Sequence, residues 1–454
     1  MAPLAGIFYA LFLLFVIARL FRQPSSGAAD FIVAGRGLTL PAFTASLVST
    51  WYGGILGVGE YTFSHGVSNW LVFGVPYYLY AAIFALVLAG RARRSEVLTV
   101  PDMLEQEYGR PAALVGAGMM FVMTVPAAYV LMLGVLLNFA TGWPLWVGVV
   151  LGTVFSVGYV YRGGLRAVVA TDMVQFVLMF LGFVVLVPVC VVKFGGWDFL
   201  RENLPPGHLQ WDGGVGVQAI AVWYFIAMST LVEPAFYQRC FAAQSESTAR
   251  RGIFLAIGLW TVFDFLTTTA GLYARAVLPG LEDPVQAFPA LADAALPSVL
   301  QGVFTVALLA TIMSTVDSYA FICAVTLGRD VVGRGRGLAA PGNEESLPLI
   351  RISLTVTALL AIGMALWSGS VIALWKVLGS LGTPVLLGPL LLAQGGVRLP
   401  ARGVAWVMVA SGAAAGIWLI LGHGKAWLGV EAIFPGLLVS AVGLGLIRAL
   451  SGAR

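Results

Sequence analysis

The segment Ala310–Ser318 is rich in side-chain oxygen atoms for an apolar stretch. Three hydroxyls and one carboxylate fall within five residues, at Ser314, Thr315, Asp317 and Ser318. Hard oxygen ligands suit an alkali cation, whereas thiol and imidazole ligands, which favour a transition metal, are missing here. The same hydroxyls could instead donate to carbonyls one turn earlier in a helix, with no ion involved. The carboxylate, together with two helix breaks elsewhere in the chain, favours the cation site.

Those two breaks lie in other apolar segments. In the segment 41–64, the pair Gly53 and Gly54 makes local unwinding easy, because glycine lowers helix stability by about 1 kcal/mol relative to alanine. In the segment 214–241, Pro234 removes one backbone hydrogen bond. Carbonyls freed at a break can ligate a cation, and paired breaks are typical of transporters built from inverted repeats.

Six charged residues are expected to lie within the membrane, where a charge at the bilayer centre costs about 2.5–3.5 kcal/mol. They are Glu60, Asp172, Glu233, Asp264, Asp317 and Lys376. Two of them, Glu60 and Lys376, lie near the ends of their segments, from which a long side chain can reach the polar surface. The other four are candidate functional groups.

The overall composition requires a membrane around these segments. Hydrophobic residues make up 59% of the 454 residues and charged residues 10%, whereas about 25% is usual for charged residues in a soluble domain. The mean hydropathy is +0.93. This composition excludes soluble enzymes, disordered scaffolds and nucleic-acid binders. Three scattered cysteines and three scattered histidines indicate no disulfide or metal framework.

The apolar stretches predict an all-α polytopic membrane protein with about 13 transmembrane helices. A hydrocarbon core of about 30 Å requires about 20 residues of apolar helix. The first predicted span is expected to be a retained helix, because no small-residue cleavage site follows it. The predicted spans are 5–21, 41–64, 68–90, 111–140, 143–161, 166–194, 214–241, 252–277, 298–332, 349–369, 371–396, 401–422 and 427–449.

Lysine and arginine are distributed unevenly between the two sides of this arrangement. An odd number of spans places the two termini on opposite sides of the membrane, and we place the N-terminus outside and the C-terminus in the cytoplasm. The cytoplasmic side then holds every one of the 25 Lys and Arg residues except Lys193, Arg201, Arg275, Lys376 and Lys425. Positive residues concentrate on the cytoplasmic side of membrane proteins. We therefore predict a multi-pass protein of the cell inner (cytoplasmic) membrane, whose basic character needs no nucleic-acid partner.

Several short motifs together resemble one family, the sodium/solute symporters, whose members carry proline, pantothenate, sugars and sialic acid. The motifs follow one another in order between residues 30 and 330, and their combination is specific although none would suffice alone. They are Asp30–Arg36, Thr50–Gly57, Gly163–Arg166 with Thr171 and Asp172, Phe236–Arg239, and Met313–Ser318 with Gly328–Asp330.

The resemblance implies a LeuT-type core of two inverted five-helix repeats. The first repeat would cover 41–194 and the second 214–396, with the extracytoplasmic loop 195–213 between them. One transmembrane helix and a cytoplasmic loop would precede the core in residues 1–40. Two C-terminal transmembrane helices would follow it in residues 397–454.

The resemblance also implies a set of sodium ligands, because the family binds sodium between the first and eighth core helices. Carried over to this chain, the hydroxyl ligands are Ser314 and Thr315, and the carbonyl ligands are Leu47, Thr50 and Thr311. Some members hold a second sodium ion, for which the matching residues are Asp172, Asp317, Ser318 and Ser314. Asp317 stands where the family has a serine and could also be a proton site, so the coupling stoichiometry stays open.

The identity of the solute is not implied. The polar residues of the sugar carriers have no equivalents around 68–75, and 111–140 contains no arginine for a sialate-like carboxylate. Residues at the two breaks are predicted to line the solute cavity, with a lysine as an anion partner, although ordinary packing explains each aromatic residue as well. These residues are Trp51, Tyr52, Gly53, Gly54, Trp223, Tyr224, Phe225 and Lys376.

The favoured function is secondary active transport, in which sodium symport imports a small organic solute by alternating access. A facilitator or channel is one alternative, for which a buried cation site would be superfluous. A membrane sensor built on a transporter-like domain is another, and no output domain is recognisable. An enzyme is not expected. The expected partners are the solute and the lipid bilayer, without nucleic acid and without an obligatory protein partner.

Overall fold

The computed structural model of the protein describes residues 27–340, 342–368 and 371–451. Nearly all of this part of the chain is helical, and no β-strand forms within it. Two isolated β-bridges join Leu38 to Ala243 and Trp427 to Val430. The predicted all-α architecture is confirmed over these residues.

The helices are numbered here in chain order. They are α1 (Ala28–Val33), α2 (Leu40–Trp51), α3 (Ile55–His65), α4 (Trp70–Arg94), α5 (Val100–Thr124), α6 (Ala127–Thr141), α7 (Leu145–Phe194), α8 (Trp197–Asn203), α9 (Val217–Ile226), α10 (Pro234–Ala242), α11 (Glu246–Val277), α12 (Ala287–Ala295), α13 (Ser298–Val325), α14 (Ser346–Ser368), α15 (Val371–Gln394), α16 (Ala401–Leu421) and α17 (Ile433–Ser451).

These helices occupy the apolar segments that the sequence singles out. Within the described ranges, nine helical stretches are long and apolar enough to cross a membrane. Helix is present in every predicted span from 41–64 onward, and the predicted span 5–21 lies outside the described residues. The largest boundary difference is at the predicted span 111–140, because α5 begins at Val100 and a break at Val125 and Pro126 separates it from α6.

Both predicted helix breaks are present. Between α2 and α3, the residues Tyr52–Gly54 form a 3₁₀ turn. Between α9 and α10, a 3₁₀ turn ends in an extended residue, Glu233, with φ −64° and ψ 115°, and Pro234 begins α10. Because proline has no backbone N–H, it fits the first position of a helix, where that N–H would have no helical partner.

The predicted spans 143–161 and 166–194 form one long helix, α7, with a sharp kink inside it. Gly164 has φ 55° and ψ −149°, a conformation open in practice only to glycine. A Cβ atom on Gly164 would lie 2.5 Å from the carbonyl oxygen of Phe31 in α1. The kink therefore separates the two spans and lets α1 pack against the bend.

Helix α13 lies in the interior of the bundle and brings polar residues of several helices together. It packs along α7, and α2 packs against α7, α11 and α13. Asp172 on α7 and Ser314 and Asp317 on α13 are all completely buried. Unpaired polar groups are costly inside a membrane, so these side chains must find partners in the shared interior.

Basic side chains at one end of the bundle contact a backbone carbonyl and a carboxylate. Arg93 donates to the carbonyl oxygen of Ala243 at 2.6 Å. Two buried arginines, Arg329 and Arg334, meet the carboxylate of Asp102 at 3.0 and 2.7 Å. The opposite end has fewer basic contacts, of which one is from Lys193 to the carbonyl oxygen of Ala294 at 2.8 Å.

The kink in α7 generates a stability prediction. Gly164→Ala should lower the free energy of unfolding by at least about 2 kcal/mol, because the new Cβ strains the backbone and meets Phe31. Gly158→Ala is the matched control in the same helix, since a Cβ atom on Gly158 would have no neighbouring atom within 4 Å. Thermal unfolding of both purified variants in detergent measures the effect. Equal stability of the two variants would contradict the role of the kink.

Candidate functional site

Hydroxyls of α13 meet backbone carbonyls at the end of α2. Ser314 Oγ donates to the carbonyl oxygen of Ser49 at 2.9 Å and lies 2.8 Å from that of Thr311. Thr315 Oγ1 donates to the carbonyl oxygen of Thr50 at 2.6 Å. All five residues are buried. We call these five residues, Ser49, Thr50, Thr311, Ser314 and Thr315, the oxygen cluster.

The 3₁₀ turn after α2 explains why carbonyls are available here. In a regular α-helix each carbonyl accepts from the N–H four residues later, and the last carbonyls before a break lose that partner. Here the N–H of Tyr52 turns back to Ser49, as in a 3₁₀ turn. Gly53 permits the close approach of α13, because a Cβ atom on Gly53 would overlap the side chain of Thr315.

Four of the five predicted sodium ligands belong to the oxygen cluster. They are Thr50, Thr311, Ser314 and Thr315. Leu47 is buried on the same helix but takes no part in these hydrogen bonds, and the carbonyl of Ser49 lies there instead. The break itself is the signal that could have identified Ser49, because it frees the carbonyls of the residues just before Tyr52–Gly54.

The oxygen cluster fits an alkali cation. Its atoms are hydroxyl and carbonyl oxygens, which are hard ligands without the thiol or imidazole that a transition metal favours. Within the described part of the chain, no group of three or more His, Cys, Asp or Glu residues could hold a metal ion. Neutral oxygen ligands around one positive charge are suited to a monovalent ion that must also leave the site.

Two of the residues predicted for a second cation, Asp172 and Ser318, contact an arginine. Arg239 on α10 is completely buried, and its Nη2 lies 2.6 Å from Ser318 Oγ and 3.4 Å from Asp172 Oδ2. The same nitrogen donates to Thr50 Oγ1 at 2.9 Å, and Nε lies 3.2 Å from Ser46 Oγ. A guanidinium group therefore occupies the space between α2, α7 and α13.

Asp317 faces a different neighbour. One of its oxygens accepts a short hydrogen bond from Ser156 on α7. The other oxygen of Asp317, like the Oδ1 atom of Asp172, is buried with no hydrogen-bond partner among the described residues. The structure therefore joins Asp172 and Ser318 through Arg239, and it does not bring Asp317 into that group.

Sequence reasoning missed Arg239 as a site residue. The predicted topology counts it with the cytoplasmic arginines, whereas its side chain is completely buried. Its position inside the apolar segment 214–241 was the available signal, because a charge within a span is a functional candidate by default. The arginine lies six residues after Glu233, within the same interrupted span.

An aromatic cavity of about 210 Å³ lies beside the α2–α3 break. Residues of α4, α5, α6, α9, α10, α11, α13 and α15 also line it, and rings pack closely around it. Trp51 lies 5.6 Å from Tyr77 and 5.7 Å from Trp260, measured between ring centroids. Phe73 and Trp223 lie 4.7 Å apart.

Two carboxylates also line the cavity. Asp264 on α11 accepts short hydrogen bonds from the hydroxyls of Tyr52 and Tyr78, one at each oxygen. Glu233 at the second break accepts from the Tyr319 hydroxyl at 2.8 Å. Each helix break therefore contributes a polar group to one shared cavity.

The predicted solute-binding residues divide into three groups. Trp51, Tyr52, Gly54 and Trp223 line the cavity. Gly53 faces Thr315 in the oxygen cluster, and Phe225 packs against Phe434 with 45% of its surface exposed. The structure does not place Tyr224 in the cavity wall. Lys376 belongs to α15, and its side chain lies outside the described part of the structure.

Comparison with known proteins identifies relatives over almost the whole chain. The model of the sodium:solute symporter family matches residues 31–411. A sodium/proline symporter of Staphylococcus aureus is 24% identical over 465 residues, which cover 95% of this chain and 89% of that protein.

Solved structures with the same fold are also sodium- or cation-coupled carriers. A Na⁺-coupled sialic acid symporter in a substrate-bound outward-open state aligns over 100% of this chain and 98% of its own, with a TM-score of 0.82 at 15% identity. A nucleobase-cation-symport-1 family transporter in a closed conformation aligns over 94% of this chain and 96% of its own, with a TM-score of 0.60 at 13% identity. At these identities the alignments establish the fold alone.

The contact of Gly53 with α13 generates a prediction. Gly53→Ala should push Thr315 away from α2 and abolish stabilisation by sodium, because the new Cβ would overlap Thr315. Thermal unfolding in NaCl compared with KCl at equal ionic strength measures the effect. Gly258→Ala on α11 is the control, since a Cβ atom there would have no neighbouring atom within 4 Å. Sodium stabilisation that survives in Gly53→Ala would show that the cluster is not the ion site.

Proposed function

Because this chain belongs to the sodium:solute symporter family, we propose that the oxygen cluster binds its coupling sodium ion and the adjacent aromatic cavity binds its solute. The protein is a multi-pass membrane protein that carries out sodium-coupled secondary transport of a small solute, and it is not an enzyme. Its fold is of the LeuT type. Among the functions that the sequence left open, symport is therefore preferred over a facilitator or a sensor.

The contact between α2 and α13 is the observation that carries the proposed ion site. The Ser314 and Thr315 hydroxyls bridge to the carbonyls of Ser49 and Thr50 at 2.9 and 2.6 Å. A sodium ion bound here draws the hydroxyl and carbonyl oxygens toward itself, so the hydroxyl hydrogens turn away. The ion then replaces two neutral hydrogen bonds by several ion–oxygen contacts and holds the two helices together.

Coupling to the solute follows from the order of residues along the chain. Thr50 supplies its carbonyl to the oxygen cluster, and the next two residues, Trp51 and Tyr52, line the cavity. An ion that fixes the end of α2 therefore fixes part of the solute-binding wall. By thermodynamic linkage, a solute that holds the same wall raises the affinity for sodium by the same factor.

We further propose that one sodium ion is coupled per transport cycle. The guanidinium group of Arg239 lies among Thr50, Asp172 and Ser318, where a second sodium would need its ligands. Arginine carries its charge permanently and cannot leave. A second mobile cation in that position would place two like charges in a fully buried space, which is strongly unfavourable.

This proposal also includes the arrangement of the two repeats and the orientation of the protein in the membrane. One break lies in each proposed repeat, 41–194 and 214–396, and Trp51 from the first packs against Phe236 from the second with ring centroids 5.3 Å apart. The contacts of Arg93, Arg329 and Arg334 gather at one end of the bundle. The number of arginines at this end supports its location on the cytoplasmic side. The proposed membrane is the cell inner membrane, and the N-terminus is then outside.

Removal of the two hydroxyls tests the ion site. The double variant Ser314→Ala and Thr315→Ala should raise the sodium concentration for half-maximal thermal stabilisation by at least about tenfold, because two of the oxygen ligands are lost. Thr305→Ala is the matched control on α13, since the Thr305 hydroxyl only donates to the carbonyl of Gln301 at 2.9 Å. Unfolding is followed in NaCl with KCl as the reference salt. An unchanged sodium response in the double variant would exclude this site.

The sodium binding curve tests the proposed stoichiometry of one sodium ion per transport cycle. We expect a Hill coefficient near one in the wild-type protein, and the same value in Asp317→Asn, because Arg239 already fills the second position. Sodium binding to purified, monodisperse protein is measured by radioactive sodium in both variants. A wild-type coefficient that approaches two and falls to one in Asp317→Asn would establish a second sodium ion at Asp317 instead.

A further inference from the structure

Among the described residues that line the aromatic cavity, two are acidic and none is basic. Of its lining residues within the described part of the chain, Glu233 and Asp264 are the charged ones, and none is Lys, Arg or His. Glu233 is 7% exposed and Asp264 is 3% exposed, so water screens neither charge well. Two buried carboxyl groups either hold protons or are paired with positive charge, and a cationic ligand in the cavity would supply that charge.

Neighbouring hydroxyls are arranged to support carboxylates. Tyr52 and Tyr78 each donate to one oxygen of Asp264, and Tyr319 donates to Glu233. Hydroxyl donors directed at a carboxylate stabilise its charged form. The acidic groups are thus held in place by hydroxyls of the cavity wall, and both line the space that a solute would enter.

The nearest buried cation is already paired. Arg239 lies six residues after Glu233, and its guanidinium group contacts Asp172 at 3.4 Å with side-chain exposure of 0% for both partners. Arg239 does not line the cavity. Its charge is therefore largely balanced by Asp172, and no described Lys, Arg or His residue lines the cavity beside Glu233 and Asp264.

The remaining wall is made of aromatic faces. Trp51, Trp260 and Tyr77 form one group, with centroid distances of 5.6 and 5.7 Å from Trp51, and Phe73 with Trp223 forms another. Aromatic faces carry partial negative charge and attract organic cations, as in the aromatic cages that recognise quaternary ammonium groups. The same faces give an apolar body a favourable contact area.

We infer that the transported solute is a small organic ammonium cation, held in this cavity between aromatic faces and the carboxylates of Glu233 and Asp264. This inference rests on the proposed function, in which the cavity is the solute site. A carboxylate solute would be repelled by both acidic groups. A bare sodium ion needs a close shell of oxygen atoms, which the aromatic walls of a space of about 210 Å³ do not provide.

Matched probes that differ only in charge provide the test. Choline and its neutral carbon analogue 3,3-dimethylbutan-1-ol have nearly the same shape, as do 3-methylbutylammonium and 3-methylbutan-1-ol. L-Proline and 3,3-dimethylbutanoate represent a zwitterion and an anion. Thermal unfolding of the purified full chain is measured with each probe up to 10 mM in NaCl and in KCl, and no organic cation is used as the reference salt.

We expect at least one of the two ammonium probes to stabilise the protein in NaCl, and to do so at least tenfold more tightly than its neutral analogue. The inference is overturned if neither ammonium probe exceeds its neutral analogue. It is equally overturned if only proline or the carboxylate stabilises the protein, in which case Lys376→Gln should remove the effect of that anion.

Variants that remove one carboxyl charge test whether the ammonium probe binds beside Asp264 and Glu233. Asp264→Asn and Glu233→Gln should each weaken the ammonium probe by at least about 30-fold, since each removes one partner of a buried charge pair. Glu282→Gln, an exposed acidic residue in the loop before α12, is the matched control and should bind as the wild type does. Weakening of sodium stabilisation alone, with ammonium binding unchanged, would assign these carboxylates to the ion and overturn the inference.

The two proposals fail in distinguishable ways. If sodium still stabilises the protein and the Ser314→Ala and Thr315→Ala variant loses that effect, the ion site stands whatever the ammonium probes do. If the ammonium probe binds equally in NaCl and KCl, the cavity recognises the cation but the sodium coupling fails. Glu233 lies at the start of α10, so Glu233→Gln could prevent folding. In that case Asp264→Asn alone tests the ammonium site.

Discussion

Backbone carbonyls at the end of α2 lose their regular α-helical partners in a region without bulk water, and the rest of the structure is arranged around this constraint. An unsatisfied carbonyl in the hydrocarbon region costs several kcal/mol. Here α13 supplies the hydroxyls of Ser314 and Thr315, and Gly53 gives α13 room to approach. The break is thus stable when α13 lies against it, and it offers the same oxygen atoms to a cation. One local defect in a helix therefore provides both a packing contact and the proposed ion site.

Arg239 extends this arrangement to a second helix break. Its buried guanidinium group connects α10 to the end of α2 through Thr50 and to α7 through Asp172. A charged group in this position is tolerated because every neighbour donates or accepts within the same small network, and loss of one partner would leave a buried charge uncompensated. The two breaks, the proposed ion site and the cavity wall are therefore connected through one network of contacts.

The helix breaks and the hydroxyl-rich helix could be predicted from the sequence, because glycine, proline and hydroxyl residues indicate them directly. Gly53, Pro234 and the Ser314–Ser318 segment lie where the sequence placed the interruptions and the hydroxyl-rich helix. The carbonyl of Ser49 and the burial of Arg239 were missed, since both depend on how far a helix turns and which way a side chain points. The acidic character of the cavity was also missed, because Glu233 and Asp264 are 31 positions apart and meet only through packing.

The central claim is that sodium holds the end of α2 against α13, and hydrogen–deuterium exchange measures this directly. Peptides covering 47–56 and 308–319 are compared in NaCl and KCl at equal ionic strength, with peptides of α16 as an internal reference. The account predicts slower exchange in sodium for both of these peptides and no difference in α16. Identical exchange in the two salts at 47–56 and 308–319, or sodium protection confined to other helices, would contradict it.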